Sequence, residues 1–344
     1  MRPAGRPLLL SAGLTAAIAG VVGAISCTAS TPAPPADAAS PALRLLQTAA
    51  HTSVARPWTG THGVVWLRGG LPRLTLVRVA HHPMTGTRSH AMDAGKLAIP
   101  EALDATVLDV LARHFELVLA PAYAGKDMLV VEARRPGASG PGAVAGRFWL
   151  DAASGMVVRR DVLDIDGSLV RSSVLEDVTM GMPMPMAPAL VSSTPAPAAP
   201  KLDARALNVL TAEGWPIRRS LPGGMDLFQA QLHDRDGAEV LRLSYTDGLS
   251  TMSLFIQPGE LNAEPAGTAR PVDDATVWVQ PGPPERIVWS AAGRTWTLVS
   301  DAPDTAVRQV LTSLPHTPRV VEDGPGARVW RGLAKVGGWF NPFS

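Results

Sequence analysis

Met180, Met182, Met184 and Met186 place four thioethers at alternate positions. Thioethers are soft donors that suit Cu(I). Pro183 and Pro185 separate them, so the run reads first as an extended connector and only second as a copper site. His81 and His82 could begin a metal site at the end of a strand. Adjacent strand residues point to opposite faces, which makes them poor co-ligands, and a solvated pair is the expected arrangement. Cys27 is the one cysteine. It rules out an intramolecular disulfide and a cysteine-built zinc or iron–sulfur centre. The chain has no H-E-x-x-H, G-x-S-x-G, G-x-x-x-x-G-K-[ST] or G-x-G-x-x-G. The expectation is therefore a protein that binds rather than catalyses, with no cofactor and no metal.

The chemistry that does stand out is apolar. There are nine tryptophans against two tyrosines. Trp66, Trp149, Trp278, Trp289 and Trp296 fall in runs that read as strands, where tryptophan usually fills the core. A second use is the wall of an apolar cavity, and Trp66 and Trp149 are its candidates. Phe148 is the alternative to Trp149, because neighbours on a strand cannot share a face. The C-terminal tail, 316–344, interleaves Arg328, Arg331 and Lys335 with Trp330, Leu333, Trp339, Phe340 and Phe343. That pattern fits a short interfacial helix, with Trp330, Trp339 and Phe340 as contacts to a membrane or a partner. Docking back onto its own domain is the other reading.

These residues sit in a chain of 344, with 31 Lys and Arg against 30 Asp and Glu. A net charge of +1 offers no basic face for nucleic acid. Apolar residues make up 46%, enough to build real cores. Glycine and proline, 32 of each, are too many for a helical bundle. Only four of the 31 basic residues are lysine, and Ala, Arg and Pro abound, which is the coding bias of a GC-rich genome such as an actinobacterium's. Arg2 and Arg6 precede an apolar run from Leu8, and small residues lead to Cys27. This is the order of a secretory signal, here 1–26. Cys27 stands where a lipobox cysteine would carry a diacylglycerol. Plain cleavage nearby and an uncleaved anchor are the alternatives. A Pro/Ala tether follows over 27–41, and a Pro/Ala/Met tether over 181–202. Between and after them lie domains at 42–180 and 203–315.

The first domain opens with a helix over 42–52. Strands follow over 63–67 and 74–79, then a helix over 104–117. Strands over 128–133, 147–151, 156–164 and 168–175 are joined by turns at Ser154-Gly155 and Asp166-Gly167. The second domain opens with a helix over 203–211. It continues with strands over 227–232, 240–245, 251–257, 276–280, 286–290 and 294–300. A last helix runs from Asp304, taken as its N-cap, to Leu314. Short consecutive strands with tight turns predict antiparallel meanders, so the fold class is α+β.

Arg147-Phe148-Trp149-Leu150-Asp151, Ser154-Gly155-Met156-Val157-Val158-Arg159 and Asp164-Ile165-Asp166-Gly167 together resemble the R-x-W-L-D-x-x-T/S-G-L-x-x-R…D-x-D-G segment of the MucB/RseB family. Trp58-Thr59-Gly60-Thr61 is similar to its Y-x-G-T, with Trp for Tyr. Tyr245-Thr246-Asp247-Gly248-Leu249-Ser250-Thr251-Met252-Ser253-Leu254-Phe255 is similar to its Y-S-D-G-L-A-x-V-S-V-F. The resemblance covers about residues 40–315. It implies a LolA-like first domain, a curved antiparallel half-barrel with helices over its concave face, and a smaller antiparallel second domain. It implies an exported regulator, in the periplasm or on the outer face of the cell membrane. Such a protein binds the extracytoplasmic domain of a membrane anti-sigma factor and so controls an extracytoplasmic-function sigma factor, with a lipid or lipoprotein as ligand. A lipid or lipoprotein carrier of the same fold is the alternative. Membrane attachment would come through Cys27 or the tail.

Overall fold

The structure is a computed structural model. It describes residues 40–67, 72–91, 103–121, 128–137, 140–181, 201–235, 237–273, 275–282 and 284–316. Cys27, the signal and first tether, Met182 to Met186 and the tail with Trp330, Trp339 and Phe340 lie outside them. All described residues belong to one compact unit, Ala39–Ser344.

Two open antiparallel sheets of eight strands each make up this unit. The first runs in the order β3-β2-β1-β8-β7-β6-β5-β4. Its strands are β1 (Trp58–Trp66), β2 (Arg73–His82), β3 (Gly86–Ala91), β4 (Glu116–Leu119), β5 (Met128–Gly137), β6 (Gly140–Asp151), β7 (Val157–Leu163) and β8 (Leu169–Met180). Helices α1 (Pro41–Ala55) and α2 (Ala105–His114) cover one face. Pro41 starts α1 where its missing N–H costs nothing. Ala42, Leu46, Ala49 and Ala50 then pack with Val131, Phe148 and Leu150 of the sheet. The Asp104 carboxylate caps α2 by accepting from the Val107 amide at 2.8 Å.

The second sheet runs in the order β13-β14-β15-β16-β12-β11-β10-β9, as many strands as the first. They are β9 (Ser220–Leu221), β10 (Met225–Arg235), β11 (Ala238–Thr246), β12 (Thr251–Pro258), β13 (Thr268–Val272), β14 (Ala275–Gln280), β15 (Glu285–Ala291) and β16 (Arg294–Ser300). Helices α3 (Ala204–Ala212) and α4 (Asp304–Ser313) pack on it. Leu241, Leu243 and Tyr245 alternate into the core, as do Met252, Leu254 and Ile256 from the paired strand. Trp289 and Trp296 are cross-strand partners that stack at 5.8 Å between ring centroids.

Four local expectations change. The helix expected to Leu117 ends at His114, because extended backbone at Phe115 releases Leu117 and Val118 to pair with β5. Strands β3 and β13 carry no apolar alternation and are edge strands, held by one neighbour each; β13 contains Pro271, which an edge tolerates. Asp304 is the first residue inside α4, and Pro303 occupies the cap position with no side-chain bond. His81 is not solvated but 6% exposed, facing inward.

Candidate functional site

The first sheet does not close completely against its helices. A cavity of about 160 Å³ lies between α1 and the concave side of β1, β7 and β8. It is lined chiefly by apolar atoms of Trp58, Val64, Trp66, Met156 and Leu175, with Ala49 and Ala50 from the helix. Strand period explains the wall: Trp58, His62, Val64 and Trp66 take alternate positions of β1 and so face one way. Small alanines on α1 leave the space opposite them. The volume matches that of a cavity able to take up a benzene-sized group, room for part of an aliphatic chain rather than the whole of one.

Polar groups at the helix end of the cavity are satisfied by one another. His81 Nε2 lies 3.0 Å from the Val54 carbonyl, and Nδ1 lies 2.9 Å from the Thr87 hydroxyl. A neutral ring fits both, donating from Nε2 and accepting at Nδ1. The ring stacks on Trp58 at 5.9 Å, whose indole N–H donates to the Ser53 carbonyl at 2.8 Å. Sequence reasoning missed His62, His81 and Trp58 as wall residues. The period of two, counted back from Trp66, was the signal for His62 and Trp58.

The opposite end holds two arginines. Arg160 of β7 and Arg171 of β8 both line the cavity, and both are more than nine-tenths buried. Arg171 lies over the Trp66 ring at 5.4 Å and Arg160 over Phe148 at 5.6 Å. Beyond them is the turn between β11 and β12, residues 246–250, inserted from the second sheet. Arg160 Nη2 donates to the carbonyls of Gly248 at 3.0 Å and Leu249 at 2.6 Å. Arg171 Nη2 also donates to the Leu249 carbonyl, at 3.0 Å, and its Nη1 pairs with Asp301. The Leu249 side chain is buried in the core of the first sheet, against Gly146, where a Cβ would meet it at 2.6 Å. Gly248 has φ +89°, and a Cβ there would come within 2.6 Å of the Leu111 backbone of α2. Asp247 holds the turn by accepting from the amides of Leu249 at 2.8 Å and Ser250 at 2.6 Å. Burial pushes its carboxyl up to about 6, against the opposing pull of those two amides; Asp301 adds to the rise and Arg160 opposes it.

The three aromatic candidates separate. Trp66 lines the cavity. Phe148 lies in the core beside Leu46 and Leu111. Trp149 faces the other side of the sheet, under the Arg159 guanidinium at 4.7 Å. That outer face carries an ionic row. Arg159 pairs with Asp161, and Arg134 and Arg147 both pair with Glu132. Burial alone would raise the Glu132 carboxyl, but the two guanidiniums, Arg147 and then Arg134, hold it below its ordinary value. Among the described residues no group of three or more His, Cys, Asp or Glu is placed to hold a metal. No helix among them is long and apolar enough to cross a membrane.

No family model matches the chain, and no curated protein does. Among solved structures it is similar to a chain of the Pseudomonas aeruginosa MucA/MucB complex, at 17% identity over 82% of this chain and 100% of that one, with a TM-score of 0.47. It is also similar to MucB in complex with MucA(peri), at 18% identity, 80% and 99% coverage and a TM-score of 0.43. A structure of MucB gives 18% identity, 79% and 96% coverage and a TM-score of 0.40.

Proposed function

We propose that this chain is an exported, non-enzymatic binding protein of the MucB/RseB type. It binds the extracytoplasmic domain of a membrane anti-sigma factor, and the cavity of the first sheet takes an apolar ligand such as the acyl part of a lipid or lipoprotein. One observation carries the reading. Two of the segments that resemble the family, 147–167 and 245–255, are about eighty residues apart and meet at one buried joint, through Arg160 and the Gly248 and Leu249 carbonyls. Each segment alone is an ordinary hairpin. Their convergence supports a shared architecture in which ligand cavity and second sheet are neighbours. The leader 1–26, the tethers and lipidation at Cys27 belong to this proposal and place the protein on the outer face of the cell membrane or in the periplasm.

A carrier of lipid or lipoprotein is the second reading, favoured by the apolar cavity itself. The test is recovery of the tagged full-length chain from its own membranes, with identification of bound proteins and lipids. A single-pass anti-sigma factor in near-equal amount supports the regulator. Lipid or acylated protein without any anti-sigma factor overturns it in favour of the carrier.

A further inference from the structure

A second cleft, of about 350 Å³, opens where α2 meets β10 and α3. Its cations come from three separate segments: Arg113 from the last turn of α2, Lys201 from the chain entering α3, and Arg219 from the chain just ahead of β9. We infer that this cleft is a docking site for an acidic segment of a partner protein, with carboxylates set on Lys201 and Arg219 and an apolar side chain laid on Phe228 between them. This rests on the reading that the chain binds a protein, and adds the place and the chemistry of one contact.

Charge is the first reason. Asp226 is the one acid among the described lining residues. Its Oδ2 lies 3.0 Å from His114 Nε2 and 3.2 Å from Arg113 Nη2, so it offsets Arg113 and leaves the other two cations in excess. Arg219 donates to a neutral acceptor, the Asn208 amide oxygen, at 3.2 Å. The Lys201 ammonium has no partner among the described residues. An anionic oxygen is a stronger acceptor than an amide, with charge-assisted bonds roughly twice as strong as neutral ones. Shape is the second reason. Strand β10 shifts register between Leu227 and Gln229, so Phe228 is an extra residue with no partner on either neighbouring strand. Such a bulge re-aims its side chain. Leu227, Ala230 and Leu232 pack toward the core, while Phe228 turns into the cleft and stays 39% exposed. The backbone fixes the cations on either side of this ring. The Arg219 carbonyl accepts from the Leu227 amide at 2.9 Å, and Lys201 bridges to Gln231. Along β10 that separation is about 12 Å, the span of about four residues of an extended segment. Side chains at i, i+2 and i+4 of such a segment share one face. The pattern that fits is therefore acid, spacer, apolar, spacer, acid.

The experiment uses the full chain at neutral pH with the peptide acetyl-Glu-Ala-Phe-Ala-Glu-amide and its analogue with Gln at both ends, each labelled for anisotropy. The expected result is that the Glu peptide binds at low salt and weakens at high salt, while the Gln analogue binds about tenfold more weakly. The double variant Lys201→Gln, Arg219→Gln should lose the same factor for the Glu peptide and nothing for the analogue. Phe228→Ser should weaken both peptides alike. All three changed side chains are exposed, so urea midpoints should stay at the wild-type value. Binding by neither peptide, equal binding by both, or an unchanged affinity in the double variant overturns the inference. Phosphatidylglycerol vesicles that displace the Glu peptide through the same two cations also overturn it, since the site would then face a membrane. Recovery from membranes separates this inference from the proposed function. An anti-sigma factor recovered equally by wild type and double variant removes the cleft and keeps the regulator. Peptide binding as expected, with no anti-sigma factor recovered by the wild type, keeps the cleft and removes the regulator.

Discussion

The two sheets have the same number of strands and opposite interiors. The second is filled: one cluster of buried apolar residues runs from Leu207 on α3 across Tyr245, Trp289 and Trp296 to Leu314. The first is divided. Leu46, Leu111 and Phe148 form one cluster, Trp58, Val77, Val79 and Met156 form another, and the cavity lies beside both. Equal strand number thus goes with two strand orders and two interiors. The filled sheet holds its shape and projects one turn, and the divided sheet has room for a guest. The difference comes from side-chain volume, since Ala49 and Ala50 on α1 face the cavity where α4 presents Val307, Val310 and Leu311 to its sheet.

The largest expected effect tests this contrast directly. Trp289→Ala removes a fully buried ring from the filled core and is expected to cost about 3–5 kcal/mol. Trp66→Ala, on a half-buried cavity wall, is expected to cost less than about 2 kcal/mol. Urea unfolding of both variants gives the numbers. Equal losses would mean that the first sheet's interior is as tightly filled as the second's.

Next in size is the joint. Gly248→Ala adds a methyl group at a positive φ and drives it into the Leu111 backbone. Strain and overpacking together are expected to cost about 3 kcal/mol. Because the clash falls on Leu111 of the first sheet and leaves the core of the second untouched, the loss should appear as reduced cooperativity, with tryptophans of the first sheet unfolding before Trp289 and Trp296. A single unchanged transition would show that the sheets are coupled elsewhere, for example through His114 on Asp226 at 3.0 Å.

A smaller effect follows from Asp247. Its folded value of about 6 lies above the ordinary carboxyl value of 3.8, so the folded chain binds the proton more tightly than the unfolded one. This residue therefore favours folding below pH 4 most fully, and its contribution is lost as pH rises through about 6. Between pH 7 and pH 5 the wild type should gain about 1 kcal/mol relative to Asp247→Asn. Glu132, Asp151 and Asp166 have lowered values and titrate below this window, while His233, lowered by burial and Arg242, acts in the opposite sense and is common to both proteins. A difference between the two proteins that stays constant from pH 5 to pH 7 would remove Asp247 as the joint's titrating group.

The sequence made the elements legible where one strand or helix explains its own pattern. Alternation at Leu241, Leu243 and Tyr245 and the turns at Gly155 and Gly167, both at positive φ, could be read directly. What could not be read was what depends on pairing. Strands β3 and β13 exist because a neighbour offers hydrogen bonds, not because of their residues. His81 looks like a polar strand end until Val54 and Thr87 are beside it. Arg160 and Arg171 look like solvated strand residues; only the inserted turn, nearly eighty residues away or more, makes them buried. The cavity was half legible: strand period gives Trp66 and its face, but the gap opposite depends on where α1 lies.

The smallest prediction carries the comparison to the helices. Asp104 and Asp304 both open helices expected from the sequence, and by sequence only Asp304 reads as an N-cap. In the structure the Asp104 side chain accepts from the Val107 amide at 2.8 Å, whereas Asp304 is already inside α4 and Pro303 stands at its cap. Asp104→Ala should therefore lose a capping bond, about 0.5–1 kcal/mol, while Asp304→Ala removes no N-cap bond and gives up a favourable charge in the first turn, worth about 0.3 kcal/mol. Urea midpoints at low and high salt separate the two causes, since a charge–dipole contribution is screened and a hydrogen-bonded cap largely persists. The difference matters because α2 is the helix against which Gly248 is seated. Loosening its first turn should raise exchange at Leu249 and Ser250, and the same change at Asp304 should leave those amides as they are.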